Sequence, residues 1–142
     1  MKKTTRSSEE TKQLGRSLAA KLESGTIVCL HGDLGAGKTT FVKGLAEGLG
    51  VKEEITSPTF TLMNVHPIPH HTAIKTLVHI DTYRLKDEHA LVTIGVEDYL
   101  GQPGIVTIIE WPEKILGLLQ NKKITNVTIG HVDDTGRTIS ID

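Results

Sequence analysis

The sequence has one cysteine, almost no net charge and no long apolar run. Cys29 is the single cysteine, so an intrachain disulfide is excluded. The formal net charge of −1 gives no general attraction to nucleic acid or anionic membranes, so any RNA contact would be local or through a partner protein. No apolar run approaches the ~18 residues of a membrane-spanning helix, and no apolar segment follows the initial Met-Lys-Lys. We expect a soluble cytoplasmic protein with no membrane contact.

The length limits the number of domains. A chain of 142 residues fits one domain, and at this size roughly 68–70% of the unfolded surface is buried on folding. We therefore predict one domain over residues 1–142. Cys29 lies in the apolar stretch 26–31, where a small buried core residue is expected.

One stretch, Gly32 to Thr39, meets every fixed position of the phosphate-binding pattern G-x-x-x-x-G-K-[ST]. Its glycines allow the backbone to fold into a nest of N–H groups, and the following helix adds the positive end of its dipole. Lys38 would lie against the terminal phosphates, and the Thr39 hydroxyl would be a ligand for the Mg²⁺ that bridges them. An apolar strand at 26–31 precedes the loop, and an amphipathic helix ending at Gly50 follows it.

The remaining patterns predict an α/β fold. A capping box at Ser7 and Glu10 opens a helix that runs to about Leu22, and apolar runs at 77–81 and 105–110 read as buried parallel strands. Pro112 favours a helix over 113–119, and strands at 124–129 and 137–141 flank a turn at 133–136. We expect a single P-loop NTPase domain with a mostly parallel central sheet, flanking helices and a C-terminal β-hairpin.

Two of the predicted strands end in a carboxylate, Asp81 in the first and Glu110 in the second. Ligands collect at the carboxyl ends of parallel strands, so both side chains would reach the phosphate cleft. Because the phosphate-binding pattern is complete, at least one of the two carboxylates should be a ligand of the metal ion. The spacing leaves open which of the two does so.

Two further segments have alternative interpretations. Thr59, in a predicted strand from 59 to 65, occupies the place of the hydroxyl residue that senses the terminal phosphate in P-loop switch proteins, but β-propensity explains a threonine there equally well. The loop His66 to His71 contains three histidines and two prolines. With no nearby cysteine or carboxylate to complete a ligand set, a metal site there is disfavoured.

Other nucleotide-binding classes fit less well. Asn121-Lys122-Lys123 lacks the following aspartate of the guanine-reading N-K-x-D sequence, and Asp133-x-x-Gly136 comes after it in the chain where the GTPase switch comes before it. A small-molecule kinase usually clamps two anionic substrates with several arginines under a lid. This chain has only four arginines and no arginine-rich lid. A nucleotide-gated binding module remains an alternative.

Several motifs in combination resemble the TsaE (formerly YjeE) family, and the resemblance covers nearly the whole chain. The motifs are the loop at 32–40, Ser57-Pro58-Thr59-Phe60-Thr61-Leu62, His79-Ile80-Asp81-Thr82-Tyr83-Arg84-Leu85, the segment 95–100, and Glu110-Trp111-Pro112-Glu113. The resemblance implies a small P-loop ATPase that uses ATP and Mg²⁺ and acts with TsaB and TsaD in bacterial tRNA threonylcarbamoyladenosine synthesis. TsaD would transfer the threonylcarbamoyl group, so any contact of this chain with tRNA would be indirect.

The resemblance also implies roles for individual residues. Thr39 and Glu110 would be the Mg²⁺ ligands, Asp81 would position or activate the attacking water, and Thr59 would sense the terminal phosphate beside Lys38. Arg137 matches a position where the family has a nucleotide-contacting basic residue, and Ser7 and Ser8 would lie near the base. The nucleotide-binding set is completed by the loop residues Gly32, Gly35, Ala36, Gly37, Lys38, Thr39 and Thr40.

The shortage of arginine leads to a hypothesis about the rate. An arginine at the terminal phosphate is worth ~10³ to 10⁵ in phosphoryl-transfer rate. Only Arg84 lies near the predicted catalytic strands. We therefore expect slow hydrolysis by the isolated chain and activation by a partner.

Overall fold

A computed structural model describes residues 1–33, 35–58, 61–71 and 73–142. Seven strands form one mixed sheet in the order β1-β7-β6-β2-β5-β4-β3. The strands are β1 (Lys2–Thr5), β2 (Ile27–His31), β3 (Met63–Pro67), β4 (Thr76–Asp81), β5 (Ile105–Glu110), β6 (Ile124–His131) and β7 (Arg137–Ile141). The α-helices are α1 (Ser8–Ala19), α2 (Lys38–Leu49) and α3 (His89–Thr93), with 3₁₀ segments at Val96–Asp98 and Pro112–Leu119. The predicted α/β class is confirmed.

The four central strands, β6, β2, β5 and β4, are mutually parallel. The outer strands β1, β7 and β3 each run antiparallel to their neighbours, so the sheet as a whole is mixed. The predicted parallel centre and the predicted hairpin of β6 and β7 are both present. Because the central strands are parallel, the carboxyl ends of β2, β4 and β5 meet at one edge of the sheet.

The side chains of β2 alternate between two cores, one on each face of the sheet. Val28 and Leu30 belong to the core that α1 and α2 cover, whereas Ile27 and Cys29 belong to the core under α3 and the 3₁₀ segments. All four are buried. A strand buried on both faces must be apolar throughout, which explains the uninterrupted apolar run in the sequence.

The first helix begins as predicted but ends earlier. The Ser7 hydroxyl accepts the Glu10 amide at 3.1 Å, and the Glu10 carboxylate accepts the Arg6 amide at 2.7 Å. The helix was expected to reach about Leu22. The amides of Lys21 and Leu22 instead donate three residues back, so the last turn tightens into 3₁₀ geometry and α1 ends at Ala19.

Helices α1 and α2 approach each other at glycines. A Cβ atom at Gly44 would lie 2.0 Å from the Lys12 carbonyl oxygen, and one at Gly15 would lie 2.5 Å from the Phe41 carbonyl oxygen. The two backbones therefore touch with no side chain between them. Because α2 begins at Lys38, this contact fixes the position of the preceding glycine-rich loop relative to α1.

Two strand assignments from the sequence need correction. Strand β1 precedes the first helix and was missed, because Lys2 to Thr5 has no apolar alternation. The strand predicted over 59–65 is observed as β3, Met63–Pro67, so His66 and Pro67 lie in a strand and not in a loop. Pro67 is tolerated because β3 is an edge strand. Thr59 and Phe60 lie outside the described residues.

The segment after β5 also differs from its prediction. A helix was expected over 113–119, whereas Pro112–Leu119 forms 3₁₀ structure interrupted at Ile115, whose φ of −132° is not helical. Ile115 is fully buried in the second core, so its packing against the sheet overrides regular helix geometry. No described helix is long and apolar enough to cross a membrane.

Cys29 provides a simple test of the core under α3 and the 3₁₀ segments. Burial, with the negative charge of Glu113 as a lesser cause, raises the pKa of the Cys29 thiol to about 11. We expect the native protein to leave Cys29 unmodified by a thiol reagent at pH 7.5 and to react fully in denaturant, since only the accessible thiolate is nucleophilic. Mass spectrometry would follow the extent of modification. Rapid modification of Cys29 under native conditions would contradict the burial of β2.

Candidate functional site

A cleft of about 490 Å³ lies at the carboxyl ends of the central strands. It is lined by Gly35, Gly37, Lys38, Thr39, Thr40, Ser57, Asp81, Tyr83, Arg84, Glu110, Trp111 and Arg137. The cleft therefore brings together the predicted phosphate loop, both predicted carboxylates and two of the four arginines. These groups come from four separate parts of the chain, and the sheet topology places them side by side.

The glycine-rich loop connects the end of β2 to the start of α2. Gly37 is the residue before the helix and has a φ of 102°, a conformation that favours glycine. A glycine there offers no side-chain oxygen to cap the first amides of α2, so these donors can bind an anion. At Gly32, an added Cβ would lie 2.7 Å from the Ile129 carbonyl oxygen, so the loop starts in close contact with β6.

Lys38 is buried at the base of the cleft. Its ammonium donates to the Gly32 carbonyl oxygen at 2.7 Å and lies 3.9 Å from the ring centroid of Trp111. Burial lowers the pKa of Lys38, and the nearby carboxylates of Glu110 and Asp81 partly oppose that shift. The lysine is thus a buried cation held between an aromatic face and two acids.

Asp81 and Glu110 are direct neighbours across β4 and β5. Both are buried, and their side chains lie on the sheet face that α1 and α2 cover, the face shared by Leu77 and Ile108. One Asp81 oxygen accepts the Tyr83 amide at 2.9 Å, and the other accepts the Ser57 hydroxyl at 3.4 Å. The two carboxylates predicted at strand ends are therefore brought to one point.

Glu110 has a partner that sequence reasoning did not single out. Its Oε2 atom lies 2.7 Å from Nε2 of His79, and the exposed side-chain fractions are 7% for Glu110 and 2% for His79. His79 precedes Asp81 by two residues, so the two side chains share one face of β4. No local spacing signals the contact with Glu110, because it joins two strands that only the sheet brings together.

Aromatic side chains form one wall of the cleft. Trp111 has a φ of 60°, and its ring lies 5.2 Å from that of Tyr83. The Thr82 hydroxyl hydrogen-bonds to the carbonyl oxygens of Glu110 and Trp111, and Lys114 donates to the carbonyl oxygens of Tyr83 and Leu85. These bonds join the segments that follow β4 and β5. Sequence reasoning assigned no role to this wall, since it depends on a left-handed backbone turn at a tryptophan.

Arg137 joins the C-terminal hairpin to the phosphate loop. Its Nε donates to the Ala36 carbonyl oxygen at 2.9 Å, and its Nη1 donates to the carbonyl oxygens of Asp133 and Gly136 at 3.0 and 2.8 Å. The guanidinium lies against Gly37, with 3.6 Å between its Nε and the position of an added Cβ. The predicted basic residue is therefore at the loop, where it braces the backbone.

A second cavity of about 290 Å³ adjoins the cleft through shared lining residues Gly37, Thr40 and Arg137. Its other walls come from the N-terminal segment and the hairpin turn: Arg6, Ser7, Ser8, Thr11, Asp134 and Thr135. Arg6 and Asp133 close this side with an exposed ion pair of 3.2 Å. The serines that the resemblance places near a base thus line a cavity continuous with the phosphate loop.

The predicted site residues are placed as follows. Thr39 is exposed and Thr40 half-buried at the start of α2, both lining the cleft. Ala36 is buried beneath the loop and contributes its carbonyl oxygen to Arg137. Thr59 falls outside the described residues, so its sensing role stays a prediction.

Two of the three histidines in the segment 66–71 have hydrogen-bonding partners. His66 is buried and its Nδ1 lies 2.8 Å from the Glu53 carboxylate, while Nδ1 of His71 accepts the amides of Ala73 and Ile74 at 3.1 and 3.0 Å. Over the described ranges, no cluster of three or more histidine, cysteine or acidic side chains could hold a metal ion. Nothing in this segment therefore favours a metal site.

Comparison with known proteins adds independent information. A family model described as threonylcarbamoyl adenosine biosynthesis protein TsaE matches residues 5–139. A protein of Treponema pallidum (strain Nichols) named tRNA threonylcarbamoyladenosine biosynthesis protein TsaE is 40% identical over 141 residues, 99% of each chain. A protein of the same name from Bacillus subtilis (strain 168) is 37% identical over 132 residues, which cover 93% of this chain and 78% of the relative.

A solved structure also resembles the fold. The crystal structure of Bacillus subtilis YdiB superimposes with a TM-score of 0.74 at 34% sequence identity, covering 99% of this chain and 83% of that one. The likeness therefore includes the sheet, α1 and α2 and the segments that line the cleft.

Proposed function

The chain belongs to the TsaE family of tRNA threonylcarbamoyladenosine biosynthesis, and from this premise we propose that it is the ATP-hydrolysing component of that machinery. The observation that carries the proposal is the cleft in which the loop Gly32 to Thr39, buried Lys38 and the paired carboxylates Asp81 and Glu110 meet. We further propose that the α/β domain is a P-loop NTPase domain, because the loop joins β2 to α2 at the carboxyl ends of parallel strands.

The donor set of the cleft fits ATP and Mg²⁺. The first amides of α2 and the Lys38 ammonium suit phosphate oxygens, whereas the Thr39 hydroxyl and the Glu110 carboxylate are the hard oxygen ligands that Mg²⁺ prefers. When bound, Mg²⁺ would neutralise charge that develops on the phosphate oxygens. Among the described residues, the Lys38 ammonium donates to one carbonyl oxygen, so its other N–H groups can bind a phosphate.

We propose that Asp81 positions or activates the attacking water. The Tyr83 amide and the Ser57 hydroxyl each bind one of its oxygens, which fixes the carboxylate plane at the cleft. A carboxylate held in this way can position a water by accepting its proton, a contribution of ~10² to 10⁴ in rate. Thr59, from the resemblance, would sense the terminal phosphate.

We propose that hydrolysis depends on a partner. Arg84 lines the cleft on the segment after β4, and Arg137 uses three of its donors on backbone carbonyl oxygens. We propose Arg84 as the arginine that stabilises charge at the terminal phosphate, because it lines the cleft three residues after Asp81. TsaB and TsaD, the partners implied by the resemblance, would order this segment, and contact with tRNA would be through them.

The test is ATP hydrolysis by the purified chain with Mg²⁺, alone and with TsaB and TsaD. We expect the isolated chain to hydrolyse ATP slowly and the rate to rise at least tenfold in the mixture. Glu110→Gln should abolish the hydrolysis of the isolated chain and its increase with partners. Equal rates with and without partners would contradict the partner-activated ATPase. Transfer of phosphate to a small acceptor, in place of release as free phosphate, would favour a kinase.

A further inference from the structure

We propose that His79 is a positioning residue that holds Glu110 in the orientation needed to bind Mg²⁺, an inference that rests on the proposed function. The contact joins His79 Nε2 to Glu110 Oε2 at 2.7 Å. The carboxylate is an acceptor, so the imidazole donates through Nε2 to Oε2, and Oε1 of Glu110 takes no part in this contact. Glu110 itself lines the cleft.

The surroundings of the pair explain why the carboxylate needs a fixed partner. Asp81 is the direct neighbour of Glu110 across the strands, and two buried carboxylates side by side repel each other. Lys38 supplies positive charge from the loop side. His79 approaches from within the sheet, on the same face of β4 as Asp81, and is buried beneath both acids.

The other imidazole nitrogen strengthens the argument. Nδ1 of His79 is buried and has no hydrogen-bond partner among the described residues. Among the described residues, the one hydrogen-bond partner of the His79 ring is Glu110. Side chains that orient a metal-binding carboxylate in this way typically contribute 10- to 100-fold to metal affinity.

The chain contains a matched pair that serves as control. His66 is also buried, lies 2.8 Å from a glutamate carboxylate at Glu53, and has an unpartnered Nε2 among the described residues. That pair lies outside the cleft lining. His66→Phe thus removes a histidine–glutamate contact of similar length, in which the histidine is buried and Glu53 is 53% exposed, without touching the proposed metal site.

The experiment measures ADP affinity with Mg²⁺ and with EDTA by calorimetry, without any turnover. His79→Phe keeps an aromatic ring and removes the N–H donor. We expect this variant to lose 10- to 100-fold in affinity for the added Mg²⁺. Its ADP affinity in EDTA should stay within about twofold of wild type. His79→Gln places an amide donor near the position of Nε2 and should restore most of the Mg²⁺ effect. His66→Phe should leave the effect of Mg²⁺ on ADP affinity unchanged.

Each outcome decides between the alternatives. Equal Mg²⁺ dependence of ADP affinity in wild type and His79→Phe would overturn the role of His79 and leave the proposed function standing. An equal loss of ADP affinity with Mg²⁺ and with EDTA would do the same. Wild-type protein without any Mg²⁺-dependent ADP binding would overturn the proposed function and this inference together. If His79→Phe does not fold, His79→Asn takes its place, because its amide is too short to reach Glu110. The comparison is then between His79→Asn and His79→Gln.

Discussion

Asp81→Asn is expected to lower the rate of ATP hydrolysis by about 10² to 10⁴-fold while Mg²⁺-nucleotide affinity changes by less than about threefold. Asparagine keeps an oxygen that can accept the Tyr83 amide at the observed geometry, so the segment after β4 should hold its shape. It cannot accept a proton from water. The separation between a lost rate and a retained affinity is the signature of a group that acts in the transition state.

The measurement is single-turnover phosphate release in the presence of TsaB and TsaD, with nucleotide binding measured in parallel. Asp98→Asn is the control, because Asp98 is exposed on a 3₁₀ segment and does not line the cleft. It should leave both quantities unchanged. A rate for Asp81→Asn within threefold of wild type would remove Asp81 from the proposed chemistry and leave Glu110 as the carboxylate to test.

The second large effect is on stability. Gly44→Ala should lower the free energy of unfolding by about 2–3 kcal/mol and the melting temperature by roughly 5–10 °C. The added Cβ would lie 2.0 Å from the Lys12 carbonyl oxygen, so α1 and α2 must move apart. Alanine favours a helix over glycine by about 1 kcal/mol, which offsets only part of this cost.

Gly130→Ala is the matched control for this prediction. Gly130 has an ordinary φ, and the nearest atom to its added Cβ, the Thr138 carbonyl oxygen, lies at 3.9 Å, an unstrained contact. Its unfolding free energy should stay within about 0.5 kcal/mol of wild type. Equal stability of Gly44→Ala and Gly130→Ala in thermal and urea unfolding would show that the helix contact tolerates an added methyl group.

The sequence was most informative where local pattern and chemistry coincide. The apolar run of β2, the glycine loop and the amphipathic α2 follow one another within about twenty-five residues, so their order alone predicted the base of the cleft. Asp81 and Glu110 were each found at the end of an apolar run. Their direct pairing across β4 and β5 then followed from the sheet topology.

Features that depend on distant pairing were not predictable in this way. Strand β1 consists of Lys2 to Thr5 and exists because it pairs with β7, more than 130 positions away. The contact of His79 with Glu110 and the stacking of Lys38 on Trp111 also join segments that only the sheet brings together. The left-handed conformation of Trp111 is a further case, since most residues avoid it.

The late position of β6 in the chain has a consequence for synthesis on the ribosome. β6 covers one side of β2, the strand that leads into the phosphate loop, and it comes about a hundred residues after it. Until residues 124–131 emerge, the nascent chain carries an apolar central strand with one open edge, which is prone to pair with other chains. The brace from Arg137 arrives later still. The cleft is therefore assembled only after residues 124–137 have been synthesised, and the edge of β2 that β6 covers stays open until then.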